Sequence, residues 1–170
     1  MRIAIAFQTI ILLLLLSCSQ PLKKEAIFDT SKIEETISNY LEAQNSIGEN
    51  KVDTLITESY IRNMNGIEMV SNINEHKASM DIFLTGFPDM TLTFPKRLIK
   101  DKHAYIEWTF SGTHTGTFGE LTATGKKVNI SGITHLYFNE NDRIYREDVF
   151  YNELDLLQQL GYTLSPPITE

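Results

Sequence analysis

The sequence predicts an α+β domain, because two hydrophobic periods divide the chain and a separate apolar run stands in front of both. Apolar residues recur at helical spacing up to residue 86, and from residue 90 they alternate with polar ones. The leading run, from Ile3 to Leu16, is broken only by Gln8 and Thr9 and belongs to neither half.

The elements follow in order. Ser31-Lys32-Ile33-Glu34 has the form of a capping box, a hydroxyl followed three residues later by a carboxylate. Ile33, Ile37, Leu41 and Gln44, with Tyr40 beside them, predict an amphipathic helix over 31–47, ended by Gly48-Glu49-Asn50. Val52, Leu55 and Ile56 predict a shorter helix over 51–57. A third helix is expected over 67–86, carrying Ile67, Val70, Ile73, Met80, Phe83 and Leu84, stopped by Gly86-Phe87-Pro88-Asp89. Met90, Leu92 and Phe94 then mark a first strand, and Ala104, Ile106, Trp108 and Phe110 a second. A third strand covers 128–138, residues 139–142 turn, and 144–151 form the last strand. Leu154, Leu156, Leu157 and Leu160 predict a terminal helix closed by Gly161, and the Thr- and Gly-rich stretch 111–125 reads as a long loop. The expectation is a curved antiparallel sheet of four strands packed on N-terminal helices, with no internal repeats.

The leading run is too short to span a bilayer, which takes about 20 residues, but has the length of a signal-peptide core behind Arg2. Leu15-Leu16-Ser17-Cys18 resembles the lipobox of bacterial lipoproteins, which implies cleavage before Cys18 and a lipid on its thiol. Cys18 is the single cysteine, so it has no disulfide partner within the chain. The expected organisation is a signal peptide over 1–17, a lipidated tether over 18–30, a domain over 31–162 and a disordered tail over 163–170. Such a chain is tethered in the bacterial cell envelope, on the periplasmic or outer-membrane face. With 15 Lys and Arg against 22 Asp and Glu, the formal charge is −7, which argues against a nucleic-acid partner.

Three segments together resemble a known family. They are Phe87-Pro88-Asp89-Met90; Trp108 with Gly112-Thr113-His114-Thr115-Gly116 and Thr124-Gly125-Lys126-Lys127-Val128; and Asp142-Arg143-Ile144 with Leu156-Leu157-Gln158-Gln159-Leu160-Gly161. The set is similar to the SnoaL-like polyketide cyclases, or ester cyclases, of the nuclear-transport-factor-2-like (cystatin-like) superfold. The resemblance implies a cone with an apolar pocket for a small molecule and an aspartate–histidine pair that moves protons without metal or cofactor. It also implies a homodimer through the sheet face.

Carried over residue by residue, the family's histidine position falls on His135 and its aspartate position on Val149, which cannot move a proton. Glu147 shares the strand face of Val149 and is the substitute, since successive strand side chains point to opposite faces. A hairpin centred near Asp142 sets His135 opposite Val149 and Tyr137 opposite Glu147, which makes His135 and Glu147 diagonal neighbours and the candidate catalytic pair. Trp108, His114, Tyr137, Val149 and Tyr151 are expected around the pocket, in a cavity of about 300 Å³ or more. His114 also fits a role in holding its own loop, and Tyr60 could offer a hydroxyl. His76 and His103 read as surface residues. No HExxH, cysteine cluster or Gly-rich phosphate loop occurs. Two functions stay open: cofactor-free proton-transfer chemistry by His135 and Glu147, or a non-catalytic binding or protein-interaction lipoprotein in which Glu147 is solvated and His135 satisfies a hydrogen bond.

Overall fold

A computed structural model describes residues 29–45 and 51–166. The leader, Cys18, most of the tether and the last four residues therefore lie outside the described residues. The described chain forms α1 (Ser31–Gln44), a short 3-10 turn (Lys51–Thr54), β1 (Ile56–Met64), β2 (Ile67–Val70), α2 (Ile73–Gly86), β3 (Thr91–Lys100), β4 (His103–Thr113), β5 (Lys127–Phe138), β6 (Ile144–Tyr151) and α3 (Glu153–Leu160). All six strands join one sheet in the order β2-β1-β6-β5-β4-β3. Pairing is antiparallel except between β1 and β6, which run parallel. The sheet is therefore mixed and curved, not a four-stranded antiparallel one.

Two corrections concern the segment between the first helices. Residues 56–64 form a strand, and the expected helix over 67–86 starts only at Ile73, because Ile67–Val70 pairs with β1. Asn65 and Gly66 both have positive φ, 52° and 86°, the conformation of a two-residue hairpin turn that Asn-Gly favours. Met64 and Ile67 close that hairpin directly. Helix α2 then begins at Asn72, whose side chain accepts from the Glu75 backbone N–H. At α1 the cap sits one residue earlier than the sequence suggested. Thr30 is the N-cap, its hydroxyl donates to Glu34, and Asp29 accepts from the Ser31 N–H.

Helix α1 buries Ile33, Ile37, Tyr40 and Gln44, one stripe at helical spacing, against the inner face of the sheet. Ile33, Ile37 and Tyr40 join Ile56, Tyr60, Ala104, Ile106, Leu136 and Ile144 in one core cluster. A second cluster gathers Phe87, Phe110, Val128 and Ile130 under Leu156 and Leu160 of α3. Gln159 docks α3 on β5 by accepting from the Asn129 N–H and donating to its carbonyl, at 2.7 and 3.0 Å. Along β5 the parity is strict: Val128, Ile130, Thr134, Leu136 and Phe138 are buried, and the alternating residues lie outside.

The loop between β4 and β5 is pinned, not free. His114 is fully buried, its Nδ1 lies 3.0 Å from the Thr124 hydroxyl, and its backbone bonds Lys126 and Gly125. It serves the loop, as one of its two readings had it, and does not reach the cavity described below.

Gly132 on β5 lies between Trp108 of β4 and Tyr151 of β6. A Cβ placed there would overlap the Trp108 indole and the Phe150 carbonyl oxygen. The bare backbone lets the indole lie flat across β5. Gly132→Ala is accordingly expected to destabilise the domain by about 1–3 kcal/mol and to shift the emission of Trp108, the only tryptophan in the chain. Urea unfolding followed by fluorescence checks both, and a neutral substitution would count against this packing.

Candidate functional site

The inner face of the curved sheet and the two core clusters line a half-open cavity of about 80 Å³. Most of its wall is apolar, and three flexible methionines, Met64, Met80 and Met90, contribute to it. The volume is well short of the expected 300 Å³, because Phe83, Trp108 and Phe110 fill much of the cone.

One polar cluster interrupts that wall. Arg62 of β1 and Glu147 of β6 are direct partners across the parallel pair, so both side chains enter the cone together. Glu147 is 3% exposed. Its Oε2 lies 3.1 Å from Arg62 Nε, accepts from the Tyr40 hydroxyl at 2.9 Å, and accepts from the Tyr60 hydroxyl as well. The two tyrosine oxygens are 3.2 Å apart. Three side chains from α1 and β1 thus converge on one carboxylate oxygen, while Oε1 has no hydrogen-bond partner among the described residues. Burial, reinforced by the Glu147 charge, pushes both tyrosine hydroxyls well above their ordinary pKa. Burial works against the Arg62 charge, but the Glu147 carboxylate together with the hydroxyls of Tyr60, Tyr40 and Tyr151 outweighs it and raises the guanidinium pKa. A buried pair of this kind is stable only when both members are present and further bonded.

The predicted catalytic pair is not brought together. His135 faces Asp148, and Thr134 faces Val149. The registry slips between Tyr137 and Phe138, where Phe138 pairs with Ile144 and leaves Tyr145 as an extra residue in β6. That bulge moves every pairing by one, which in a strand means the opposite face. Glu147 and Val149 therefore look into the cone, whereas His135 and Tyr137 lie on the outer face of the sheet.

On that outer face His135 Nε2 is 3.0 Å from His103 Nδ1, and its ring is stacked on Tyr105 at 4.2 Å. The expected surface placement of His103 holds to this extent. Tyr137 donates to Asp148 at 2.8 Å, beside Asn63 and Arg146 on the same carboxylate. Desolvation and the neighbouring His103 lower the His135 pKa. Leu98, Tyr105, Ile133 and Phe150 are exposed on this face.

Trp108, Val149 and Tyr151 line the cavity as expected; His114 and Tyr137 do not. Sequence reasoning missed Tyr40, Gln44, Arg62 and Thr134, which also line it. The available signal was the alternation Tyr60, Arg62, Met64, which reads as one strand face once 56–64 is recognised as a strand. Among the described residues no group of three His, Cys, Asp or Glu is placed to hold a metal ion.

His76 is also corrected. It is fully buried, with its ring 6.2 Å from Tyr40 and 5.0 Å from Tyr60, and neither nitrogen has a hydrogen-bond partner among the described residues. Burial and the Arg62 charge lower its pKa from 6.5 to about 4. Between those values the unfolded chain binds the extra proton and the folded one does not. The stabilisation is therefore complete above pH 6.5 and is lost as the pH falls toward 4. A gap of that size corresponds to about 3 kcal/mol. Replacing His76 by Phe is expected to remove most of this slope in urea unfolding between pH 7 and pH 4.5; an unchanged slope would assign the acid sensitivity elsewhere.

Comparison with known proteins agrees with this architecture. The solved structure of AclR from Streptomyces galilaeus is similar at a TM-score of 0.68 and 19% identity, covering 78% of this chain and 98% of that one. TsrD from Streptomyces laurentii gives 0.69 and 19%, covering 79% and 98%. A SnoaL-like polyketide cyclase from Agrobacterium tumefaciens gives 0.61 and 16%, covering 76% and 98%. At these identities the likeness concerns the fold. None of the curated proteins matches the sequence. Residues 34–160, nearly the whole described domain, match the SnoaL-like polyketide cyclase family, and the chain belongs to that family.

Proposed function

We propose that this domain binds a small, largely apolar carbonyl compound in its cone and moves a proton on it with Glu147, without metal or cofactor, while a lipid on Cys18 holds it to a membrane of the bacterial cell envelope. The observation that carries the chemical part is the asymmetry of the Glu147 carboxylate. Oε2 is engaged by Arg62, Tyr40 and Tyr60, and Oε1 is left without a partner on a residue that lines the cavity. A base held this way is oriented before substrate arrives. Oε1 takes the proton from a carbon next to the carbonyl, the C–H electron pair moves onto the carbonyl oxygen, and the proton returns to carbon or to oxygen. Proton transfer of that kind underlies cyclisation and isomerisation.

The size of the cavity narrows the substrate. One water needs about 10–15 Å³ on a comparable scale, so the space suits on the order of five to eight heavy atoms. Rearrangement of Met64, Met80 and Met90 would admit more.

A second reading is binding without catalysis. It is favoured by the pair Val149 and Thr134, which face each other inside the cone. Val149 stands at the position where the family resemblance implies an aspartate, and neither side chain of the pair moves protons at neutral pH.

Exchange of α-hydrogens separates the two readings without knowledge of the natural substrate. Cyclohexanone incubated with the domain in deuterium oxide is expected to lose α-protons faster than in buffer, and Glu147→Gln to lower that rate by about 100-fold or more. Because the substitution leaves Arg62 without its carboxylate, the variant's circular dichroism must show it folded. Exchange at the buffer rate with wild-type protein, or an undiminished rate in the folded variant, would end the catalytic reading.

The anchor rests on Leu15-Leu16-Ser17-Cys18. Cys18→Ala is expected to abolish labelling by a fatty-acid precursor and to move the protein from the membrane pellet to the soluble fraction. Label retained by the variant would refute lipid attachment at this residue.

A further inference from the structure

Thr134 is an anomaly in an apolar wall. It is 7% exposed, lines the cavity, and its hydroxyl has no hydrogen-bond partner among the described residues. Its strand neighbours are Ile106 on one side and Val149 on the other. Glu147 lies two residues before Val149 on the same strand face, so Thr134 and Glu147 are diagonal neighbours, with Cα atoms on the order of 7–8 Å apart. They do not bond each other, and the gap between them opens on the cavity.

Resting on the cavity reading above, we infer that Thr134 is the specificity-determining residue of this site, and that with Glu147 Oε1 it forms a subsite for one neutral ligand oxygen. The hydroxyl donates to a ketone or alcohol oxygen, and Oε1 accepts from the O–H of an alcohol or faces the acidic C–H beside a ketone. The charges of the site exclude other ligand classes. Arg62 and Glu147 already neutralise one another, so an added anion meets the carboxylate and an added cation meets the guanidinium, each without a spare counter-charge. A pure hydrocarbon of the same size leaves the Thr134 hydroxyl and Oε1 both buried and unpaired. A compact, neutral, oxygen-bearing molecule satisfies both.

The test compares cyclohexanone with methylcyclohexane, two rings of similar size of which one carries the oxygen. Binding is followed by the emission of Trp108, the only tryptophan in the chain, which lines the cavity. Wild-type protein is expected to bind the ketone about 5–10-fold more tightly than the hydrocarbon, the ratio one buried hydrogen bond produces. Thr134→Val keeps the shape and removes the hydroxyl, so it should erase that preference while hydrocarbon binding holds or tightens. Thr134→Ser restores a hydroxyl and should recover the preference. If both probes bind and Thr134→Val keeps the wild-type ratio, this inference is wrong and the cavity reading stands. If neither probe binds wild-type protein, the cavity reading fails and the inference falls with it.

Discussion

The buried carboxylate of Glu147 is the constraint on which the rest of the molecule depends. It ties together α1 through Tyr40, β1 through Tyr60 and Arg62, and β6 through its own strand. These elements are distant in sequence, more than 80 residues apart between Tyr60 and Glu147, and the parallel pairing of β1 with β6 is the only parallel contact in the sheet. Placing an Arg and a Glu opposite each other on the inner face gives that pairing a register that a hydrophobic pair would specify less sharply. An inward charge on either strand alone would be costly in an apolar cone; together, with two hydroxyls to complete the acceptor, they are tolerated. His76, packed on both tyrosine rings, shares the same dry region and stays neutral there for the same reason.

A single extra residue in β6 decides which chemistry the cone can host. Without the bulge at Tyr145, the register set by Phe138 and Ile144 would pair His135 directly with Glu147. With it, the imidazole joins His103, Tyr105 and Tyr137 on the outer face, and the cone retains a carboxylate, a guanidinium, two tyrosines and the Thr134 hydroxyl. Bulges redirect side chains at the cost of one ladder position, and their effect on a site is out of proportion to their size.

Membership of the SnoaL-like polyketide cyclase family and divergence at the site are compatible. The family match spans the helices, the sheet and the closing helix, which are maintained by core packing. The wall of the cavity is under a different constraint. Val149 and Thr134 line it at facing positions, and the carboxylate that reaches it is that of Glu147, two residues before Val149 on β6. A scaffold of this kind carries its function in a few inward-pointing side chains, so family identity sets the shape of the site and leaves its chemistry to be read from the residues present.

The sequence by itself determined the elements whose signal is local. Period-two alternation located β3 to β6, the stripe Ile33, Ile37, Tyr40, Gln44 located α1, and Gly161 closed α3 in the left-handed conformation. The dispersed motifs around Phe87, Trp108, His114 and Gly161 were enough for the family. β1 and β2 were missed because a nine-residue strand with Glu58, Arg62 and Asn63 in it reads as polar until its neighbours are known, although Asn65-Gly66 was a hairpin signal in plain view. Only the tertiary structure decided the face on which each site residue lies. Strand parity turns on the count of residues between two paired positions, and a bulge changes that count without leaving a pattern in the hydrophobicity. His135 and Glu147 were therefore both recognisable as chemistry-bearing residues, yet whether they met was settled by the position of Tyr145. The partners of Glu147 came from α1 and β1, brought in by folding over a distance that no local sequence pattern encodes.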